Sequence, residues 1–347
     1  MQKQLTVVMP FLNEDSEPTE TLDSLFATTH PDEISVVVID DCSDTPDSFQ
    51  AVCKMAAEHP ERHLSVLRND QRIGVDASRQ RGVSLVTTPQ VLIIDAHMRF
   101  AEDKDWLQRL SYNVATSPET VFCTMCRGLG YGRSMDDDIH EDYCGASLQF
   151  VSAEQDVNRA GEVKFGREVL EGKWLEHDNP PIYPFEVSCI MGANYAFNKV
   201  WFDFIHGLQG LQMWGTSEPF LSLKSWLAGG SCKAIPDVVL GHVFRDNAPF
   251  STPVWPLMFN KLLLMELLLP TAMTLDLMAC MPHDGNFAEA QRFMSGPVLN
   301  SWVCGEKDYQ ASIQKRTVEE YAEMFDLVDI INIPRAPLPK GVLSICQ

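Results

Sequence analysis

The first hundred residues alternate so regularly between two hydrophobic periods that few folds can accommodate them. Leu5 to Met9 is an apolar run ended by Pro10-Phe11-Leu12-Asn13-Glu14, and a helical pattern follows around Glu20 to Ala27 with Leu22, Leu25 and Phe26 on one face. Ile34 to Ile39 is a second β-branched run, ending in Asp40-Asp41-Cys42-Ser43-Asp44, and Phe49 to His59 reads as the next helix. A third strand, Leu64 to Leu67, runs into Arg68-Asn69-Asp70, and a third helix covers Asp76 to Leu85. Val91 to Ile94 is the fourth strand. This β-α-β-α series predicts a parallel sheet with helices on both faces, and ligands of such sheets bind beyond the carboxyl ends of the strands. All four polar clusters fall at those ends.

The fourth cluster is the most specific chemically. In Ile93-Ile94-Asp95-Ala96-His97 an apolar strand ends in a carboxylate and an imidazole, and the period of two points both side chains the same way. Carboxylate oxygen and neutral imidazole suit a divalent ion such as Mn²⁺, and an ion held by two or three protein groups keeps positions open for substrate phosphates. Taken by itself, the pentapeptide also fits a strand-capping Asp beside a surface His.

Composition narrows the partners. With 347 residues, 45% hydrophobic and 22% charged, the chain can bury one large core or two modest ones. The net charge of −21 repels phosphate backbones, so general nucleic-acid binding is not expected, while a modified nucleic-acid acceptor stays open. The segment Met1-Gln2-Lys3-Gln4-Leu5 runs directly into a strand without the features of a secretory leader, which points to a cytoplasmic protein. Ten cysteines with one close pair, Cys123-Thr124-Met125-Cys126, read as reduced, buried thiols rather than a disulfide framework. That pair is at most half a zinc site.

Pro10-Phe11-Leu12-Asn13-Glu14, the strand ending in Asp40-Asp41-Cys42-Ser43-Asp44 and the strand ending in Asp95-Ala96-His97 resemble the nucleotide-sugar-binding half of family-2-like GT-A glycosyltransferases. Leu67-Arg68-Asn69-Asp70-Gln71-Arg72-Ile73-Gly74, continuing to Arg79, Arg81 and Gly82, is similar to the catalytic domain of polypeptide N-acetylgalactosaminyltransferases. Those enzymes use Asp-x-His where most GT-A enzymes use Asp-x-Asp. Gly241-His242-Val243-Phe244-Arg245 is identical to a signature of that group, and Trp214-Gly215, with Trp226 and Gly229-Gly230 after it, resembles its Trp-Gly-Gly-Glu-Asn segment.

The resemblance implies a GT-A fold, a Rossmann-like mixed sheet with helices on both faces, acting on a nucleotide-sugar donor, UDP-linked in that group. It assigns Asp95, His97 and His242 to Mn²⁺ or another divalent metal ion, and Arg72 and Arg245 to the diphosphate. Asp41 or its neighbour Asp40 falls to the uracil, the backbone around Pro10 to the uridine, and Trp214 to the leaving phosphate. Asn13, Glu14, Gly74, Arg79 and Ala96 line the same donor site, and Asn194, in Cys189-Ile190-Met191-Gly192-Ala193-Asn194-Tyr195, is placed beside the sugar pocket. A departing nucleoside diphosphate develops negative charge, which a Lewis acid and guanidinium groups stabilise. Read singly, Arg72 and Arg79 also fit solvated positions, His242 a core histidine, and Asp40 or Asp41 a helix cap.

The chain departs from the group at Trp214-Gly215-Thr216-Ser217-Glu218, where the acid is displaced by one position or replaced by Ser217. In inverting relatives an acid here is the general base, with Glu218 the available residue, whereas retaining relatives use it to contact sugar or acceptor. Asp246-Asn247-Ala248-Pro249-Phe250 also differs, and neither a signal anchor nor a lectin domain is seen. A catalytically silent nucleotide-sugar-binding or scaffold protein is the alternative of another class.

The stretch from Arg127 to Glu186 reads as irregular and polar, with the acidic run Asp136-Asp137-Asp138, and is assigned to acceptor recognition. Beyond Phe250 the pattern is helical, with Trp255 to Leu269 too interrupted for a membrane span of about 20 residues, Val318 to Val328 helical, and Ile333 to Pro339 extended. The expected organisation is a donor half over 1–98, an acceptor half over 99–252, and a C-terminal helical extension over 253–347 that offers homodimer contacts.

Overall fold

The computed structural model describes residues 3–130, 135, 141–151, 156–157, 163–164, 169–177, 179–245 and 249–327. Asp136-Asp137-Asp138, Asp246-Asn247-Ala248 and the tail Ile333 to Pro339 lie outside the described residues.

The alternation forms β1 (Leu5–Phe11), α1 (Glu17–Thr28), β2 (Ile34–Asp40), α2 (Asp47–Glu58), β3 (Leu64–Arg68), α3 (Val75–Ser84) and β4 (Gln90–Ile94). β1 pairs in parallel with β2 and β4, and β2 with β3. Both β1 and β4 are buried along their whole length, as strands covered on two faces must be, and this is why they read as unbroken apolar runs rather than alternating ones.

The second half turns the sheet into a mixed one. After the short β5 (Met98–Phe100) and α4 (Trp106–Thr116) come β6 (Thr120–Gly130) and β7 (Glu141–Val151). A separate two-stranded piece, β8 (Asp156–Val157) with β9 (Val163–Lys164), precedes β10 (Val169–Glu176), β11 (Phe185–Glu186) and β12 (Asn194–Asn198). The main sheet runs β10-β7-β6-β12-β4-β1-β2-β3. Among the described residues, the region from Arg127 to Glu186 is therefore largely strand rather than irregular. β6, β7 and β10 form an antiparallel ladder through it, and the polar residues that suggested a loop are the outward side of half-buried strands such as β7, whose Cys144, Ala146, Leu148 and Phe150 face inward.

α5 (Lys199–Phe204) and α6 (Ser217–Leu227) lead to β13 (Ser231–Phe244), a long strand that is parallel to β6 and antiparallel to β5. Helices α7 (Val254–Leu268), α8 (Thr271–Cys280), α9 (Gly285–Met294), α10 (Pro297–Ile313) and α11 (Val318–Met324) follow. α7 is buried nearly all round, from Phe259 to Leu268, which explains why it lacks a polar face in the sequence. Among the described residues no helix is long and apolar enough to cross a membrane. Eight described cysteines are free thiols, with burial pushing up those of Cys123, Cys126, Cys144, Cys189 and Cys232.

Candidate active site

β13 brings together what the sequence separates by 145 positions. Its antiparallel register against β5 sets His242 opposite Met98, and the Val243 amide donates to the His97 carbonyl at 3.0 Å. His242 is thereby fixed beside the end of β4, where the Asp95 amide donates to the Ala193 carbonyl at 2.9 Å. His97 Nε2 and His242 Nε2 are 3.1 Å apart, and His242 Nε2 is 3.5 Å from Asp95 Oδ2. The three side chains offer ligand atoms within 4.8 Å of one another.

These spacings suit a metal. Two bonds of about 2.1 Å at a right angle place their ligand atoms about 3 Å apart. Burial alone would push the Asp95 carboxyl up, but hydrogen bonding from His242 and the charge of Arg79 hold it well below the usual carboxylate range, so it is ionised. Burial lowers the pKa of His242, against the pull of Asp95, and keeps its imidazole neutral. An ionised carboxylate and a neutral imidazole are the forms that ligate. Trp174 and Phe244 flank the His242 ring, with centroids at 5.8 and 4.6 Å. Neither was foreseen as part of the site, Trp174 because it falls in the stretch mistaken for a loop.

Positive charge surrounds the cluster. Arg79 of α3 is buried and donates to Asp95 at 2.8 Å while pairing with Asp76, so it secures the ligand from behind. Arg245 donates through two nitrogens to Glu14, and Nη2 also lies 3.0 Å from His97 Nδ1. Arg72 pairs with Asp44 at the surface and keeps its guanidinium on the cleft. Glu14, Arg72, Arg79, Asp95 and Arg245 line one cleft of about 1100 Å³, as do Pro10, Asp41, Gly74, Ala96, His97, Trp214 and Glu218. Trp214 is half exposed at its wall.

Asp41 is held by its own loop. It accepts from the amides of Ile73 (2.9 Å) and Gly74 (2.8 Å) and from Asn69 Nδ2 (2.7 Å). Gly74 makes this possible, because its φ of 92° and its contact with Met213, whose Cα would stand 2.1 Å from an added Cβ, exclude any side chain. Asp40, Asn13 and Asn194 lie off the cleft wall. Asp40 is fully buried, accepts from Ser43 and pairs with Arg68. Asn13 bridges to Asp44 through its amide, and buried Asn194 accepts from the Thr124 amide and hydroxyl at 3.1 and 2.8 Å. Each ties strands or turns beneath the site, a role that residue type alone does not distinguish from ligand contact.

Glu218 opens α6 on the far side of the cleft, after Gly215 and Thr216 in left-handed conformations with φ of 99° and 71°. Burial raises its pKa to about 7, Asp76 and Asp95 add to the shift, and Arg79 opposes it. Gly192 faces it so closely that a Cβ would stand 2.3 Å from Glu218 Oε1. The C-terminal helices complete the cleft: Leu257 and Met258 of α7 and Met281 after α8 form an apolar wall, broken by the Lys261–Glu171 ion pair. Sequence patterning placed α7, over Trp255 to Leu269, but not α8, and gave no sign that either reaches the site.

The glycosyl transferase family 2 profile matches residues 6–137. Over 251 residues the chain is 26% identical to human polypeptide N-acetylgalactosaminyltransferase 10, covering 72% of this chain and 39% of that protein. It is 27% identical over 256 residues to polypeptide N-acetylgalactosaminyltransferase 4 of Caenorhabditis elegans, again covering 72% and 39%. The chain thus spans about two fifths of the length of the curated relatives it matches. In three dimensions, 97% of the chain superposes on 59% of GalNAc-T7, crystallised with UDP, GalNAc and Mn²⁺, at a TM-score of 0.67 and 17% identity. The parallel strands of the first half, the mixed second half and the superposition give the chain a GT-A fold, within which residues 6–137 are similar to the glycosyl transferase family 2 profile.

Proposed function

We propose that this chain is a metal-dependent glycosyltransferase that moves a sugar from a nucleotide diphospho-sugar, most simply a UDP-sugar, to an acceptor hydroxyl with retention at the anomeric carbon. One observation carries the reading: Asp95, His97 and His242 converge within 4.8 Å in the same cleft that Arg72 and Arg245 line. The UDP, GalNAc and Mn²⁺ held by the structural neighbour support the same choice of donor and ion.

A divalent ion bound by the three residues would neutralise charge on the departing diphosphate. The chain's own groups do the rest. Arg245 and Arg72 supply guanidinium donors to the phosphate oxygens, charge-assisted contacts that strengthen as negative charge develops on the leaving group. Arg79 holds Asp95 in place at 2.8 Å. Pro10, Gly74 and the fixed Asp41 shape the end of the cleft where the base would lie. Residues 1–98 thus serve the donor. The described part of 99–252 other than Trp214, His242 and Arg245, together with the apolar wall of Leu257, Met258 and Met281, serves the acceptor.

An inverting reaction has one observation in its favour. Glu218 titrates at about 7, which is where a general base works best near neutral pH, and such a base contributes about 10²–10⁴ in rate. Retention rests on the likeness to the N-acetylgalactosaminyltransferases. A panel of nucleotide sugars incubated with candidate acceptors, with mass spectrometry of the products and NMR of the anomeric proton, tests both readings. An α-linked product from an α-linked donor supports retention, a β-linked product makes Glu218 the base, and no product from any donor favours a silent binder.

A further inference from the structure

Helix α7 carries an asparagine within an apolar stretch. Asn260 follows Phe259, precedes Leu262, Leu263 and Leu264, and is fully buried, a place where an amide costs free energy unless its donors and acceptor find partners. Its partners are all backbone atoms of one turn. Asn260 Oδ1 accepts from the Gln212 amide at 2.8 Å, and Nδ2 donates to the carbonyls of Gln212 at 2.8 Å and Gly215 at 2.9 Å, with the Trp214 carbonyl at 3.4 Å. The side chain pairs with Gln212 as a peptide group would, donating and accepting at once, which a side-chain amide can do and an apolar residue cannot.

The turn needs such a hold. Met213, Gly215 and Thr216 all have left-handed backbone, with φ of 52°, 99° and 71°, and Met213 and Thr216 carry a Cβ that disfavours it. Residues of this kind keep their conformation only where surrounding contacts over-determine it. Two elements do so here. On one side the Val75 amide donates to the Met213 carbonyl at 2.8 Å, from the loop whose Ile73 and Gly74 amides hold Asp41. On the other side stand Asn260 and, one helical turn before it on α7, Leu257, whose Cδ1 would lie 2.4 Å from a Cβ on Gly215. Between these two holds lie Trp214, at the cleft wall, and the entry to α6, whose first turn carries Glu218.

We propose that Asn260 is a positioning residue for the transferase site: it sets the turn over 212–216, and through it the placement of the Trp214 indole and the Glu218 carboxylate. Asn260 is not among the described residues that line the cleft, so it acts through the turn alone. The C-terminal helices thereby belong to the reaction machinery, beyond the apolar wall they add. The proposal rests on the glycosyltransferase reading given above. Asp95, His97, His242, Arg72 and Arg245 are held by other elements, so losing Asn260 should disturb the chemical step and leave donor binding nearly intact.

The full chain labelled with fluorotryptophan tests this by ¹⁹F NMR, the Trp214 line being assigned by Trp214→Phe. Asn260→Asp keeps the acceptor and loses the donor, and Asn260→Ala loses both. Either should shift or broaden the Trp214 line and leave in place those of Trp106 and Trp201, which donate to Thr28 and Ser225. With Mn²⁺ and a UDP-sugar, well below the melting temperature, kcat should fall about 10–100-fold while KM for the donor stays within about threefold. A merely structural Asn260 would lower the melting temperature and move neither the Trp214 line nor kcat. An unmoved Trp214 line, or a kcat within about threefold of the parent in a folded variant, overturns the proposal. Should neither variant fold, hydrogen exchange in the parent decides: the Gln212 amide should exchange as slowly as the amides of α7, and fast exchange overturns the hold. No turnover by the parent with any donor fails the glycosyltransferase reading instead, and the ¹⁹F lines, which need no turnover, tell the two failures apart.

Discussion

Replacing Glu218 by Gln should make the protein more stable, by an amount that grows as pH rises from about 4.5 to about 7 and is constant beyond. The Glu218 carboxyl titrates at about 7, against 4.5 for a solvated glutamate, because burial at the start of α6 disfavours its charge and Asp76 and Asp95 stand nearby. The folded pKa is the higher one, so the favourable contribution of this group is complete below about 4.5 and is lost as pH rises through about 7. The difference corresponds to about 3 kcal/mol between pH 4.5 and pH 8 as an upper bound. Glu218 keeps some exposure to the cleft, which lowers the expected effect to roughly 1–3 kcal/mol. Gln removes the charge while keeping the shape. For a chain of this size the gain amounts to about 1–4 °C in melting temperature. Thermal unfolding in EDTA at half-unit steps from pH 5 to 9, for parent and Glu218→Gln, measures it directly. The two curves should lie closest at pH 5, separate steadily up to about pH 7 and keep a constant separation beyond it, with the variant higher. A constant offset at every pH, or a variant that is less stable at pH 8, would refute the assignment of a raised pKa to Glu218.

Gly74→Ala should cost about 3 kcal/mol or more, since the new methyl meets Met213 backbone at 2.1 Å and φ is 92°; denaturant unfolding showing less than 1 kcal/mol would contradict the close approach. Gly192→Ala presses instead on the movable end of Glu218, at 2.3 Å from Oε1. It should leave the unfolding midpoint within about 1 kcal/mol of the parent while reducing turnover at least tenfold, and full activity would remove Glu218 from the reaction. Asp41→Ala should weaken UDP binding in calorimetry, because the carboxylate that accepts from Ile73 and Gly74 also shapes the base end of the cleft. Equal UDP affinity in parent and variant would place the base elsewhere.

How far the sequence spoke for itself depended on how local each feature is. The four donor-side strands and three helices were legible because their periods are complete within one element, and Asp95 and His97 were legible because a strand end displays both. β7 and β10 were not, since antiparallel strands with one wet face carry as many polar residues as a loop. His242 could be recognised by resemblance in Gly241-His242-Val243-Phe244-Arg245, yet only the pairing of β13 with β5 explains why it meets His97. Asp40 and Asp41 are neighbours of the same type, and their separate roles come from the pleat. One faces Arg68 and Ser43 inside the turn, and the other faces the cleft through the Gly74 loop. The contacts of Arg245 with Glu14 and with His97 join residues 231 and 148 positions apart, beyond the reach of any spacing rule.

The central claim is that Asp95, His97 and His242 hold the ion on which donor chemistry depends, and one measurement addresses it most directly. UDP release from a UDP-sugar should be followed in the parent and in His242→Ala, after EDTA treatment and again with Mn²⁺ restored, with circular dichroism on the same samples. The account predicts no release in EDTA, recovery with Mn²⁺ in the parent, and no recovery in a His242→Ala protein that keeps its fold. Full release in EDTA, or a His242→Ala variant that Mn²⁺ restores to the parent rate, would contradict it.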